Sequence, residues 1–196
     1  MNLLRPEVWH GGYYELAIEL GETSDERLLD ALAAVWSQRE VVGPSADTIG
    51  VLREDERHAS AAWLDRMHLH GEVHLPLGVF APCGTCTIRE EAGPDWLDFY
   101  LPLGGLSELV PDVGGYPFMA GPNDYAAWQR QLDQWLADFG SRVYLRVPYR
   151  LALIGFEVSG ECYAADIIAT GVPAQRHFGI LWPERGNVSF YAPSTS

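Results

Sequence analysis

Residues 13–20 alternate cleanly between two faces. Tyr14, Leu16, Ile18 and Leu20 share one, and Tyr13, Glu15, Ala17 and Glu19 share the other. A period of two predicts a half-buried strand. The next four residues, Thr23-Ser24-Asp25-Glu26, read as a capping box with Thr23 as N-cap and Glu26 reaching back to it. Leu28, Leu29, Leu32, Val35 and Trp36 follow at helical spacing, which predicts a helix ending near Gln38. Residues 49–52 read as a short strand, and 53–58 as a charged, solvated stretch.

Alternation returns at 67–75, with Leu69, Val73 and Leu75 on one face and His68, His70, Glu72 and His74 on the other. Leu75-Pro76-Leu77-Gly78 has proline second and glycine fourth, the pattern of a tight turn. Residues 79–90 form the returning strand and 96–101 a third, after a turn at Gly93-Pro94-Asp95. Residues 104–123 are rich in glycine and proline and predict a short helix near Leu106 followed by a long loop. Asn123 then caps a helix that starts at Asp124. Its stripe is Trp128, Leu132, Leu136, Phe139, Val143 and Val147, which passes through Gly140 and predicts a single helix ending before Pro148, with Gly140 as the point where a break could fall.

The run 151–158 is apolar on both faces, as in a central strand. Residues 162–169 predict a short helix stopped by Gly171, and 178–182 with 188–191 a C-terminal hairpin. Most neighbouring strands are hairpin-linked. The fold class is therefore α+β, a mainly antiparallel sheet with two principal amphipathic helices packed on one face. The absence of repeats and linkers predicts a single domain over 1–196, with the 104–123 loop inside it.

Composition narrows the chemistry. Acidic residues number 27 against 13 basic ones, for a formal net charge of −14, and every basic residue is an arginine. Without lysine there is no phosphate-loop motif and no Schiff-base lysine. The negative charge predicts no nucleic-acid partner and no binding to anionic membranes. The first ten residues lack the apolar core of a signal peptide, and three cysteines suit a reducing compartment, so the expected location is cytoplasmic.

Three groups of residues are chemical candidates. Cys83-Gly84-Thr85-Cys86 has redox-motif spacing, but β-branched residues follow, and residues three apart on a strand face opposite sides. No disulfide is expected between the pair. His68, His70 and His74 share a strand face, and the His68-x-His70 pair, about 6.6 Å apart, has a spacing that suits zinc. A turn centred on Pro76 and Leu77 would set His70 opposite Cys83 and His68 opposite Thr85. The third group is acidic and aromatic: Glu15, Glu19, Trp96, Asp98, Tyr100 and Glu157 all fall on the polar faces of predicted strands.

There is no Gly-x-Ser-x-Gly, Gly-x-Gly-x-x-Gly or His-Glu-x-x-His motif. The expectation is thus a binding or inhibitory module without a cofactor. It would take a basic protein or cationic ligand on an outward sheet face built from that third group. Charge reversal on that face should then cost little stability. The alternative is an enzyme or zinc-binding protein that uses His68, His70 and His74 with Cys83.

Overall fold

The computed structural model describes residues 6–44, 68–76, 78–109 and 125–194. Strands predicted by alternation appear as β1 (Tyr13–Gly21), β3 (His68–His74), β4 (Phe80–Arg89) and β5 (Asp95–Pro102), with a two-residue β2 (Val41–Val42) before them. The apolar run gives β6 (Leu151–Phe156), and the C-terminal hairpin gives β7 (Gly179–Glu184) and β8 (Asn187–Tyr191). Helices are α1 (Asp25–Trp36), α2 (Leu103–Leu109), α3 (Tyr125–Tyr144) and α4 (Ala164–Thr170), preceded by a short 3-10 helix at Pro6–Trp9. Among the described residues the strands form one eight-stranded antiparallel sheet, ordered β2-β3-β4-β5-β1-β6-β7-β8. The class is α+β. The predicted strand at 49–52, the charged stretch at 53–58, the loop beyond Leu109 and the Asn123 cap lie outside the described residues.

Both long helices pack on the same face. Leu28, Ala31, Leu32 and Val35 of α1, and Leu132, Leu136, Phe139 and Val143 of α3, meet Tyr14, Leu16, Ile18 and Leu20 of β1 in one core. Leu97, Phe99, Ala152 and Ile154 join them from the neighbouring strands. Gly140 does not break α3. A Cβ there would sit 2.5 Å from Leu181 Cδ1, so glycine lets the helix lie close on β7. Burial of this face outweighs the roughly 1 kcal/mol propensity cost of a mid-helix glycine. The helix ends at Tyr144, and the Arg146 and Val147 amides both bond back to Val143 O in a closing turn.

Two local expectations change. The α1 N-cap is Ser24, whose Oγ accepts from the Arg27 amide, rather than Thr23. The Ser24 amide in turn donates to Asp95 Oδ2 at 3.0 Å, which ties the cap to β5. The β3–β4 connection is one residue longer than a two-residue turn, because the Leu75 amide bonds Val79 O. That shifts the ladder by one, and a one-residue slip exchanges partners and faces.

The largest difference is that the sheet is not one-sided. A second core, on the face away from α1 and α3, joins Ala17, Trp96, Leu151, Leu153 and Ile180 to Val158, Cys162, Ala164 and Ile167. The segment after β6 folds back across β1 and carries α4 with it. Polar residues on β1 and β5 masked this layer in the pattern, since Glu15, Glu19 and Asp98 resemble solvated positions. Among the described residues no helix is long and apolar enough to cross a membrane.

Candidate functional site

Glu15, Glu19, Trp96, Asp98 and Tyr100 share one face, as alternation requires, but that face is covered. Glu15 and Asp98 are each 5% exposed, Glu19 and Trp96 1%, and Tyr100 2%. The expectation of an outward acidic surface is corrected: these carboxylates are internal acceptors for the returning chain. Glu15 Oε1 accepts from the Val158 amide at 2.7 Å and the Ser159 amide at 3.0 Å. Glu19 Oε2 accepts from the Ala164 amide at 2.6 Å, satisfying an orphan donor at the start of α4. Asp98 Oδ2 accepts from the Ser159 hydroxyl at 2.7 Å, and Asp98 Oδ1 has no hydrogen-bond partner.

Burial sets the electrostatics of this layer. It raises the Glu15 pKa against the opposing amides of Ser159 and Val158, and raises that of Glu19 against the Ala164 amide. Asp98 is pushed well above the usual carboxylate range by burial first and by the charge of Glu15 second. Two carboxyl groups that both bond Ser159 and share a dry layer favour a state in which one keeps its proton. Trp96 is likewise internal: its indole donates to Glu90 Oε1 at 2.9 Å, and Tyr163 packs edge-on to it at 5.8 Å.

Glu157 differs from the other five. It lies one residue past β6, so strand alternation does not place it. It is exposed and has φ of +47°, and its carboxylate lies over Gly12. Its amide donates to Tyr13 O at 3.1 Å. Nearby on the second face lie aromatic rings, with those of Trp9, Tyr13 and His70 half-buried and that of Tyr100 buried. Tyr13 meets Tyr100 at 4.6 Å, Trp9 stacks on His70 at 4.1 Å, and Trp9 meets Tyr100 edge-on at 6.3 Å. Tyr100 lies flat over Gly84, where any Cβ would collide with its ring.

The histidine row reaches the same face with partners other than those expected. His70 pairs with Gly84, and His68 pairs with Cys86. Cys83 points to the opposite face and is buried in the helix-side core, and burial pushes its thiol pKa up. His74 packs on Phe80 at 5.0 Å, away from the other two histidines. The set His68, His70, His74 and Cys83 therefore does not converge. Among the described residues no three His, Cys, Asp or Glu side chains gather to hold a metal ion. No disulfide links any of the three cysteines, and Cys83 and Cys86 lie on opposite faces as residues three apart on a strand should.

The shifted ladder creates a contact the sequence reading did not contain. Cys86 Sγ lies 3.3 Å from His68 Nε2, and His68 Nδ1 lies 3.2 Å from the Tyr100 hydroxyl. Burial lowers the pKa of His68, and burial followed by the charge of His68 lowers that of His70, so both favour the neutral imidazole. Trp9 and Ser159 were also missed. Trp9 sits on a single 3-10 turn too short to show periodicity, and nothing local marks Ser159 as a partner for two strands. No family model, curated protein or solved structure matches this chain.

Proposed function

We propose that this protein is a binding module for a cationic ligand or a basic protein segment, seated on the half-buried rings of Trp9, Tyr13 and His70 beside Glu157, with the buried Tyr100 ring beneath them. A cytoplasmic setting accords with its three thiols, none in a disulfide. The observation that carries the reading is the nearness of these rings to the exposed Glu157, whose carboxylate lies over Gly12 next to Tyr13. A guanidinium or quaternary ammonium group gains about 0.5–2 kcal/mol over such rings, more when water is excluded. Glu157 supplies the counter-charge, and the net charge of −14 speeds encounter with a basic partner. Binding of this kind would let the protein mask or inhibit its partner.

The test titrates an arginine-rich peptide against the wild type, Trp9→Ala and Glu157→Gln at low and moderate salt. The same peptide with citrulline in place of arginine serves as the uncharged control. Each variant should weaken binding by about fivefold, and salt should weaken the wild type more than Glu157→Gln. Equal binding of the citrulline peptide, or variants that bind like the wild type, would remove this reading.

A further inference from the structure

We infer that Cys86 is a covalent acyl-acceptor site, with His68 as its base and Tyr100 as the residue that positions His68. His68, Cys86 and Asp98 are successive cross-strand partners on β3, β4 and β5, so their side chains stand side by side on one face. Cys86 Sγ lies 3.3 Å from His68 Nε2 and 3.7 Å from Thr87 O, so rotation of the S–H from that carbonyl toward the imidazole gives the arrangement that activates a thiol nucleophile. The other ring nitrogen is engaged at 3.2 Å by Tyr100, which sits under the aromatic cluster over Gly84. With Nδ1–H donated to the Tyr100 oxygen, the Nε2 lone pair faces the sulfur. Cys86 is half-buried and His68 exposed, so a small molecule can reach the pair.

Asp98 provides a second, independent sign. It is 5% exposed, directly opposite Cys86 in the ladder, and its Oδ1 has no partner. An ionised carboxylate there would repel a forming thiolate. The same burial that leaves Oδ1 unpaired favours the neutral acid, which removes that repulsion. Of the other cysteines, Cys83 is sealed in the helix-side core. Cys162 is also buried, and its pKa is raised by burial and then by the charges of Asp166 and Glu19.

The substrate class follows from the base. In an acyl transfer from a thioester, the Cys86 proton passes to His68 Nε2 and the sulfur attacks the carbonyl carbon. The new carbon–sulfur bond forms as the original one breaks. The departing thiolate takes the proton back from His68 and leaves as a thiol. Such a group gains from a base that returns its proton; a halide leaving an alkylating agent does not.

The site is tested with two acetyl thioesters, neutral S-ethyl thioacetate and cationic acetylthiocholine, with acetylation located by peptide mass spectrometry. Both should acetylate Cys86 while Cys83 and Cys162 stay unmodified. His68→Gly should slow the reaction by about tenfold or more, and free imidazole should restore it. Tyr100→Phe should lower the rate and move the midpoint of its pH profile downward, because the imidazolium loses an acceptor. That profile is read with Cys86, Tyr100 and His70 as the titratable groups facing His68. Acetylation spread over all three cysteines, no acetylation of Cys86, or no response to imidazole would overturn the assignment. The comparison also separates the two proposals. Equal rates with the neutral and cationic thioesters leave Cys86 in place and count against the cation-binding surface.

Discussion

The Ser159 hydroxyl donates to Asp98 Oδ2 at 2.7 Å, joining the loop after β6 to the middle of β5. The same hydroxyl lies 3.3 Å from Glu15 Oε1, so one serine bridges carboxyl groups on two adjacent strands. Because Asp98 is buried and its other oxygen has no partner, losing this donor leaves the acid with no hydrogen bond at all. Ser159→Ala should therefore cost about 1–3 kcal/mol, read as a lower midpoint in urea with an unchanged slope. A midpoint equal to that of the wild type would mean that water replaces the hydroxyl freely and that this layer is wetter than its burial implies.

Charge reversal separates the internal carboxylates from the surface one. Glu15→Lys puts an ammonium where two backbone amides point at an oxygen, which leaves a buried cation among donors. The loss should exceed about 4 kcal/mol, enough to unfold a domain of ordinary stability. Glu157→Lys changes an exposed side chain and should stay within about 0.5 kcal/mol of the wild type. Thermal melts of the two variants decide the matter: similar melting temperatures would mean that Glu15 is not the anchor of the returning chain.

The contrast between those two residues also marks how far the sequence could be read. Elements with a long single period were legible: β1 and β5 alternate, and α1 and α3 carry unbroken stripes, so the helix-bearing face follows from them. What alternation specifies is which side chains share a face, and Glu15, Glu19, Asp98 and Tyr100 do share one. It does not specify whether water or protein covers that face. A carboxylate that accepts buried amides has the same polarity signature as one that faces solvent, so the layer under α4 was invisible. Register was lost for a smaller reason. A turn of three residues instead of two moved Cys86, not Thr85, opposite His68, and so produced the thiol–imidazole contact. The Trp9 turn and the Ser159 bridge depend on contacts distant in sequence, which no local pattern carries.

Asp133 offers the clearest pH test because it lies on the other face, apart from the histidines. It is buried on α3 and accepts a hydrogen bond from the Tyr14 hydroxyl, to which Gln129 also donates at 3.2 Å. Burial raises its pKa from 3.8 to about 6, against the lowering effect of the Tyr14 bond. The folded state thus holds this proton more tightly than the unfolded chain does. Its contribution to stability is complete below about pH 4 and is lost as pH rises through about 6. A shift of about two units corresponds to roughly 3 kcal/mol. Glu15, Glu19 and Asp98 act in the same sense. His68 and His70, whose pKa values are lowered, act in the opposite one, so the profile of the wild type alone mixes several groups. The difference between the wild type and Asp133→Asn isolates this carboxyl group, since asparagine keeps an oxygen for Tyr14 but cannot ionise. The variant should gain on the wild type by roughly 3 kcal/mol between about pH 4 and about pH 7.5, measured by urea unfolding at each pH. A difference that stays constant across that range would show that Asp133 titrates as a solvated carboxylate, and the Tyr14–Asp133 contact would have to be wetter than its burial indicates.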